Sequence, residues 1–171
     1  MPRTKSPASK PRSAPRKPRK AKPEPGSRGL SPQELAETAE PRAQALADAI
    51  HGDGGVVLAV YKEPLGGHEV VFAGLPIGKV EPTPYQRDVS EAHVKRLTSA
   101  FERVGRYLDP IVAVRHDGRY WTPNGSHRLT TARGLGMRSI VALVMPEEEV
   151  AFQILALNTE KAHNLKERSL E

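Results

Sequence analysis

Across 171 residues the apolar share is 37%, below the usual globular fraction, while 16 prolines exceed it. The absence of cysteine excludes disulfides, thiolate zinc sites and any cysteine nucleophile. The longest aliphatic run, Val56-Val57-Leu58-Ala59-Val60, is far too short for a membrane helix, and no apolar stretch follows the basic N-terminus as a secretory signal requires. A soluble, cytoplasmic protein without a membrane partner is expected.

The net charge of +6 is unevenly placed. Residues 1–28 hold ten cations against the single acid Glu24, so they carry +9 and the remainder carries −3. The same segment has seven prolines and no Val, Ile, Leu or aromatic residue. It lacks the apolar surface that offsets ordering entropy, and a disordered basic arm over 1–28 is expected. Arg12, Arg16, Lys17, Arg19, Lys20 and Lys22 suit sequence-blind contact with nucleic-acid phosphates, or simply a solubilising leader.

Ser31-Pro32-Gln33-Glu34 is a capping box with proline at the first helical position, which predicts a helix there, restarted or kinked at Pro41 and stopped by Gly52. Its thin apolar stripe (Leu35, Ala39, Leu46, Ile50) points to the edge of the domain. Two strands are predicted at 56–61 and 69–72, then a short extended piece at 75–80. Two prolines keep Glu81-Pro82-Thr83-Pro84-Tyr85-Gln86-Arg87 out of helix. Ser90 caps a helix with Val94, Leu97, Phe101 and Val104 on one stripe, ended by Gly105. Strands at 111–115 and 119–122 flank an Asp117-Gly118 turn. A helix over 126–135, a strand over 139–144 and a last helix opened by Pro146 and three glutamates complete a mixed α/β pattern.

Chemistry concentrates at Thr122-Pro123-Asn124-Gly125-Ser126-His127-Arg128. A strand ends, glycine permits close approach, and a helix opens with a hydroxyl, an imidazole and a guanidinium. Free N–H groups and the helix dipole favour an anion there, and a guanidinium fork suits phosphate oxygens. Taken alone the spacing also fits an ordinary structural turn with Ser126 as N-cap. His51, His68, His93, His116 and His163 show no metal-ligand spacing, so no zinc is expected. Tyr85 is the better base-stacking candidate than Tyr120-Trp121, which should alternate across a strand with one ring in the core.

The order Pro84-Tyr85-Gln86-Arg87, a helix, Leu108-Asp109-Pro110-Ile111-Val112-Ala113-Val114-Arg115, Asn124-Gly125-Ser126-His127-Arg128-Leu129 and Gly136 resembles the N-terminal domain of the ParB partition proteins. The likeness spans roughly residues 75–170. It implies the ParB/sulfiredoxin-like fold, an α+β mixed sheet with flanking helices, over 75–171, with 29–74 as a helix and β-hairpin extension. The family's first box, Asn-Pro-x-Gln-Pro-Arg, looks like Thr83 to Arg87 with one proline missing. Its second box, Gly-Glu-Arg-Arg-x-x-Ala, looks like Gly125 to Arg128 with Ala132, and its third looks like Leu157 to Lys161 with Leu165. The resemblance implies that Gly125, Ser126, His127 and Arg128 cradle nucleotide phosphate, CTP or ATP, with Gln86 and Arg87 facing it. Asn158 would be the retained Mg-side ligand.

Departures qualify these expectations. Ser126 stands for the family's Glu, His127 for an Arg and Leu157 for an acid, which argues against efficient metal-assisted nucleotide hydrolysis. Sulfiredoxin thiol chemistry is excluded, since its cysteine would fall at Ser126. Three functions stay open: a ParB-like DNA-associated protein, a nucleotide-dependent phosphotransferase or nuclease, and a non-catalytic nucleotide-binding adaptor. Nucleotide and DNA are the expected partners, with a homodimer and nucleoid association left open. Leu170-Glu171 carries no helix stop, which fits a piece of a longer chain lacking the family's helix-turn-helix reader and dimerisation tail.

Overall fold

The computed structural model describes residues 22–38, 40–86, 88–107 and 109–157. Most of the basic arm (residues 1–21), Ala39, Arg87, Leu108 and everything after Leu157, including Asn158, lie outside the described residues. Of the arm's cations Lys22 and Arg28 are described, and both are exposed.

Only half of the capping box forms: the Ser31 N–H and hydroxyl both donate to Glu34 Oε2 at 2.7 Å, while the Glu34 N–H goes to the Ser31 carbonyl (3.1 Å). A 3-10 turn at Glu34–Ala36 follows in place of the expected helix. The residue before a proline is pushed to extended backbone, and Glu40 sits at ψ 127°. Too few residues are left between Ser31 and Glu40 to offset the cost of helix nucleation. A fresh helix, α1 (Pro41–Gly52), begins with Pro41 in its first turn, where the missing N–H costs nothing. The Glu40 N–H is taken by Glu69 Oε1 at 3.1 Å, from the strand beneath.

Six strands form one sheet: β1 (Val56–Lys62), β2 (Glu69–Pro76), β3 (Val80–Pro82), β4 (Ile111–His116), β5 (Arg119–Thr122) and β6 (Ser139–Met145), in the order β1-β2-β6-β4-β5-β3. β1–β2, β2–β6 and β4–β5 run antiparallel, whereas β4–β6 and β3–β5 run parallel. This is the expected α+β mixed sheet. β2 is longer than expected because a strand paired on both sides gains hydrogen bonds along its whole length. The boundary drawn at 74/75 therefore falls inside β2, and the hairpin belongs to the same sheet as the rest. Asp117 (φ 45°) and Gly118 (φ 74°) make the left-handed turn that joins β4 to β5.

Register places Val71, Ala73 and Leu75 beside Val144, Ala142 and Ile140, and Ala142 beside Ile111. This face meets Ala43, Leu46 and Ile50 of α1 and Leu129 and Ala132 of α3 (Ser126–Gly134) in one core. Four positions of α1 are buried, so this helix is a principal cover and not an edge ornament. α2 (Glu91–Val104) has its Ser90 cap and Gly105 stop (φ 67°) as expected, but buries no residue fully. Its stripe packs on α3 and on Tyr107, whose ring meets Phe101 at 5.3 Å. Helix occupies residues 150–157, the three glutamates lying in the turn ahead of it. On the opposite sheet face Trp121 stacks on His116 at 3.7 Å and meets Phe152 edge-on at 5.9 Å.

Asp53 ties α1 to the sheet. Its carboxylate accepts from Arg115 Nε (2.8 Å), Tyr120 Oη (2.8 Å) and Lys79 Nζ (3.0 Å), with 10% of the side chain exposed. The Arg115 bond holds its carboxyl well below the usual carboxylate range, and burial followed by the Asp53 bond pushes the Tyr120 hydroxyl up. Removing one member of such a network strands the others, at about 2–4 kcal/mol. Asp53→Asn should lower unfolding free energy by that order in chemical denaturation. A depressed carboxyl stabilises the fold above the unfolded value near 3.9, and the stabilisation fades as acid titrates it. The variant should therefore differ most from wild type at neutral pH. The difference should start to shrink below about pH 4 and vanish only once the pH has fallen through the depressed folded value.

Candidate functional site

β3 and β5 are parallel, with Pro82 opposite Thr122, so both chains leave the sheet at the same end. That register brings Thr83–Gln86 against Thr122–Ser126. The Thr83 N–H donates to the Thr122 carbonyl (3.4 Å), and Gln86 Nε2 donates to the Pro123 carbonyl (2.8 Å). Gly125 is the N-cap of α3, and no side chain caps this helix. Its place requires glycine: a Cβ would strike Thr122 Oγ1 and lie 2.7 Å from Ile111 Cγ2.

Four buried oxygens at this junction have no hydrogen-bond partner: Thr83 Oγ1, Gln86 Oε1, Thr122 Oγ1 and Ser126 Oγ. Such groups are rare, and each costs the free energy of its lost hydration. Because Gln86 Nε2 is fixed by the Pro123 carbonyl, its orphan oxygen can only accept. The three hydroxyls can donate. Tyr85, in the turn above them, is 95% exposed and held at φ 66°, a left-handed conformation that costs a bulky residue about 1 kcal/mol.

The other two members of the expected cradle point elsewhere. His127 Nε2 accepts the Ser90 N–H at 3.1 Å, and its ring lies edge-on to His93 at 4.7 Å. Arg128 reaches the loop before β4, donating to the Pro110 carbonyl (2.7 Å) and pairing with Asp109 Oδ2 (2.9 Å). Consecutive helical residues diverge by about 100°, so the three side chains leave the helix start in different directions. Thus Gly125, Ser126 and Gln86 converge, and Thr83 and Thr122, which sequence reasoning placed in these motifs without giving them a role, join them. Their signal was available: both precede proline at the end of a strand. Asp109 and Tyr107 were missed as neighbours of Arg128, a contact made only by folding.

The donors around the start of α3 are backbone N–H, hydroxyl, amide and guanidinium. That set suits an anion. Among the described residues no group of three His, Asp or Glu is placed to hold a metal ion, and no helix is long and apolar enough to cross a membrane.

No protein-family model matches the chain, and no curated protein does. Solved structures do. Sulfiredoxin from Arabidopsis thaliana is similar at 23% identity and TM-score 0.40, over 48% of this chain and 92% of its own. The C-terminally truncated partition protein ParB from Caulobacter crescentus, complexed with CTP-γ-S, is similar at 22% and 0.42, over 49% of this chain and 48% of its own. A free serine kinase in complex with AMP is similar at 13% and 0.40, over 43% of this chain and 30% of its own. The likeness is one of fold. It covers less than half of the two longer neighbours.

Burial, and then the charge of His93, pull His127 below its ordinary value near 6.5, in keeping with its acceptor role. A lowered histidine stabilises the fold above the unfolded value, and that contribution is lost as pH falls through the folded one. NMR titration should give His127 a midpoint below 6.5. The loss of thermal stability from pH 7 to pH 5 should be smaller in His127→Gln, whose amide oxygen can still take the Ser90 N–H.

Proposed function

We propose that this chain binds the phosphate end of a nucleoside triphosphate at the start of α3, as a DNA-associated protein of the ParB kind whose basic arm touches duplex phosphates without reading sequence. The observation that carries the reading is the set of partnerless buried oxygens beside an uncapped helix N-terminus. Free N–H groups and the positive helix pole attract an anion, and hydroxyls of Ser126, Thr122 and Thr83 donate to its oxygens. The acceptor on Gln86 complements a hydroxyl of the attached sugar. The turn over these atoms is held by the Gln86–Pro123 bond and contains the strained Tyr85, so it is the part of the wall that yields to an entering ligand. Tyr85 then lies where a base would stack. Arg87 and Asn158, which the ParB resemblance adds to the phosphate and metal sides, stay part of the proposal on sequence alone.

Ser126→Ala separates a ligand role from a structural one. Deleting a partnerless hydroxyl leaves stability unchanged or raises it, whereas losing a donor to phosphate costs about tenfold or more in affinity. Titrating labelled CTP, ATP and GTP against wild type and variant should show weaker binding with an undiminished melting temperature. Equal binding by the variant, or none by wild type, overturns the phosphate site. Metal-dependent phosphate release or strand cleavage would shift the reading to the phosphotransferase or nuclease class.

The arm is tested separately. Each cation engaged with duplex DNA adds nearly one unit to the dependence of log affinity on log salt. Deleting residues 1–28 should therefore flatten the salt dependence of binding to random duplex DNA. An unchanged slope removes the arm from the proposal.

A further inference from the structure

Arg128 meets four oxygens. Three are backbone carbonyls, of Pro110 (2.7 Å), Asp109 (3.4 Å) and Asn124 (3.5 Å). The fourth is Asp109 Oδ2 at 2.9 Å. The carbonyls are anchored by β4 and by the turn into α3, and cannot move without disturbing both. The carboxylate sits on a side chain that is 71% exposed, against 19% for Arg128. It is the partner that can leave. To a guanidinium, a carboxylate and a phosphate present the same face, a pair of oxygens sharing negative charge. Close by, the Tyr107 hydroxyl is buried without a partner, near enough to Arg128 and Asp109 to feel both charges.

We infer that Asp109 is a built-in competitor at the anion site: its carboxylate occupies Arg128 in the free protein, and a ligand phosphate takes its place on binding. The inference rests on the phosphate reading above and deepens it. The displaced carboxylate swings into water at little cost, since exposed ion pairs are weak. The guanidinium, still fixed by its carbonyls, is then presented to the newcomer without losing further side-chain freedom. A monoanion gains nothing by exchanging with a carboxylate of equal charge, whereas a polyphosphate does. Asp109 therefore raises the threshold that an anion must pass and favours polyphosphates over simple monovalent ions.

The test is calorimetric titration of the full chain with inorganic tripolyphosphate. Asp109→Asn keeps the shape and removes the charge. Asp117→Asn makes the same change of net charge in the β4–β5 turn, where its φ of 45° is one that asparagine tolerates. Asp109→Asn should bind about three- to fivefold tighter at low salt, the gain shrinking as salt rises, and Asp117→Asn should match wild type. Equal or weaker binding by Asp109→Asn overturns the inference, as does an equal gain in Asp117→Asn. Should neither wild type nor Asp109→Asn take up tripolyphosphate, the phosphate reading itself fails and the inference falls with it.

Discussion

The parallel pairing of β3 with β5 is the constraint on which the site depends. Parallel neighbours end at the same edge of a sheet, and loops from that edge converge on the helix that follows. Here the pairing lasts only from Val80–Tyr120 to Pro82–Thr122, yet it sets Gln86 against Pro123 across 37 residues of sequence. α2 and β4 fill the excursion between them. Arg133 of α3 reaches back to the Val80 carbonyl, so the helix that bears the site also clasps the strand that positions its other half.

Two aspartates show how burial decides what a carboxylate does. Asp53 and Asp109 each pair with an arginine. Asp53 has three donors and little solvent, so its charge is fixed to the core and its removal leaves the buried Tyr120 hydroxyl stranded. Asp109 has one cationic partner and ample water, so its bond can open and close while the fold stays intact. The first is architecture, and the second is free to take part in binding.

Much of the architecture was legible in the chain. Apolar alternation in Ile140, Ala142 and Val144 gave β6 its inner face, and the Asp117-Gly118 pair fixed the only turn that its left-handed backbone allows. The Ser31 box misled because a local cap cannot make a helix when Pro41 resets the chain ten residues on. Site legibility stopped at side-chain direction. The spacing of Gly125 to Arg128 marks a helix start, but which of the three side chains faces the turn depends on where β4 and α2 lie. That is settled by long-range packing, so nothing in the spacing shows that folding pairs His127 with Ser90 and Arg128 with the loop at 109–110.

The stack of His116 on Trp121 has a practical side. The chain has a single tryptophan, and its indole N–H is held by Glu81 while its ring is sandwiched between an imidazole and the edge of Phe152. It stands immediately before Thr122, one of the orphan hydroxyls. Intrinsic emission from this protein is therefore a local optical gauge: any rearrangement of the β5 end, or lifting of residues 150–157, changes the indole's quenching environment and can be followed without a dye or an engineered label.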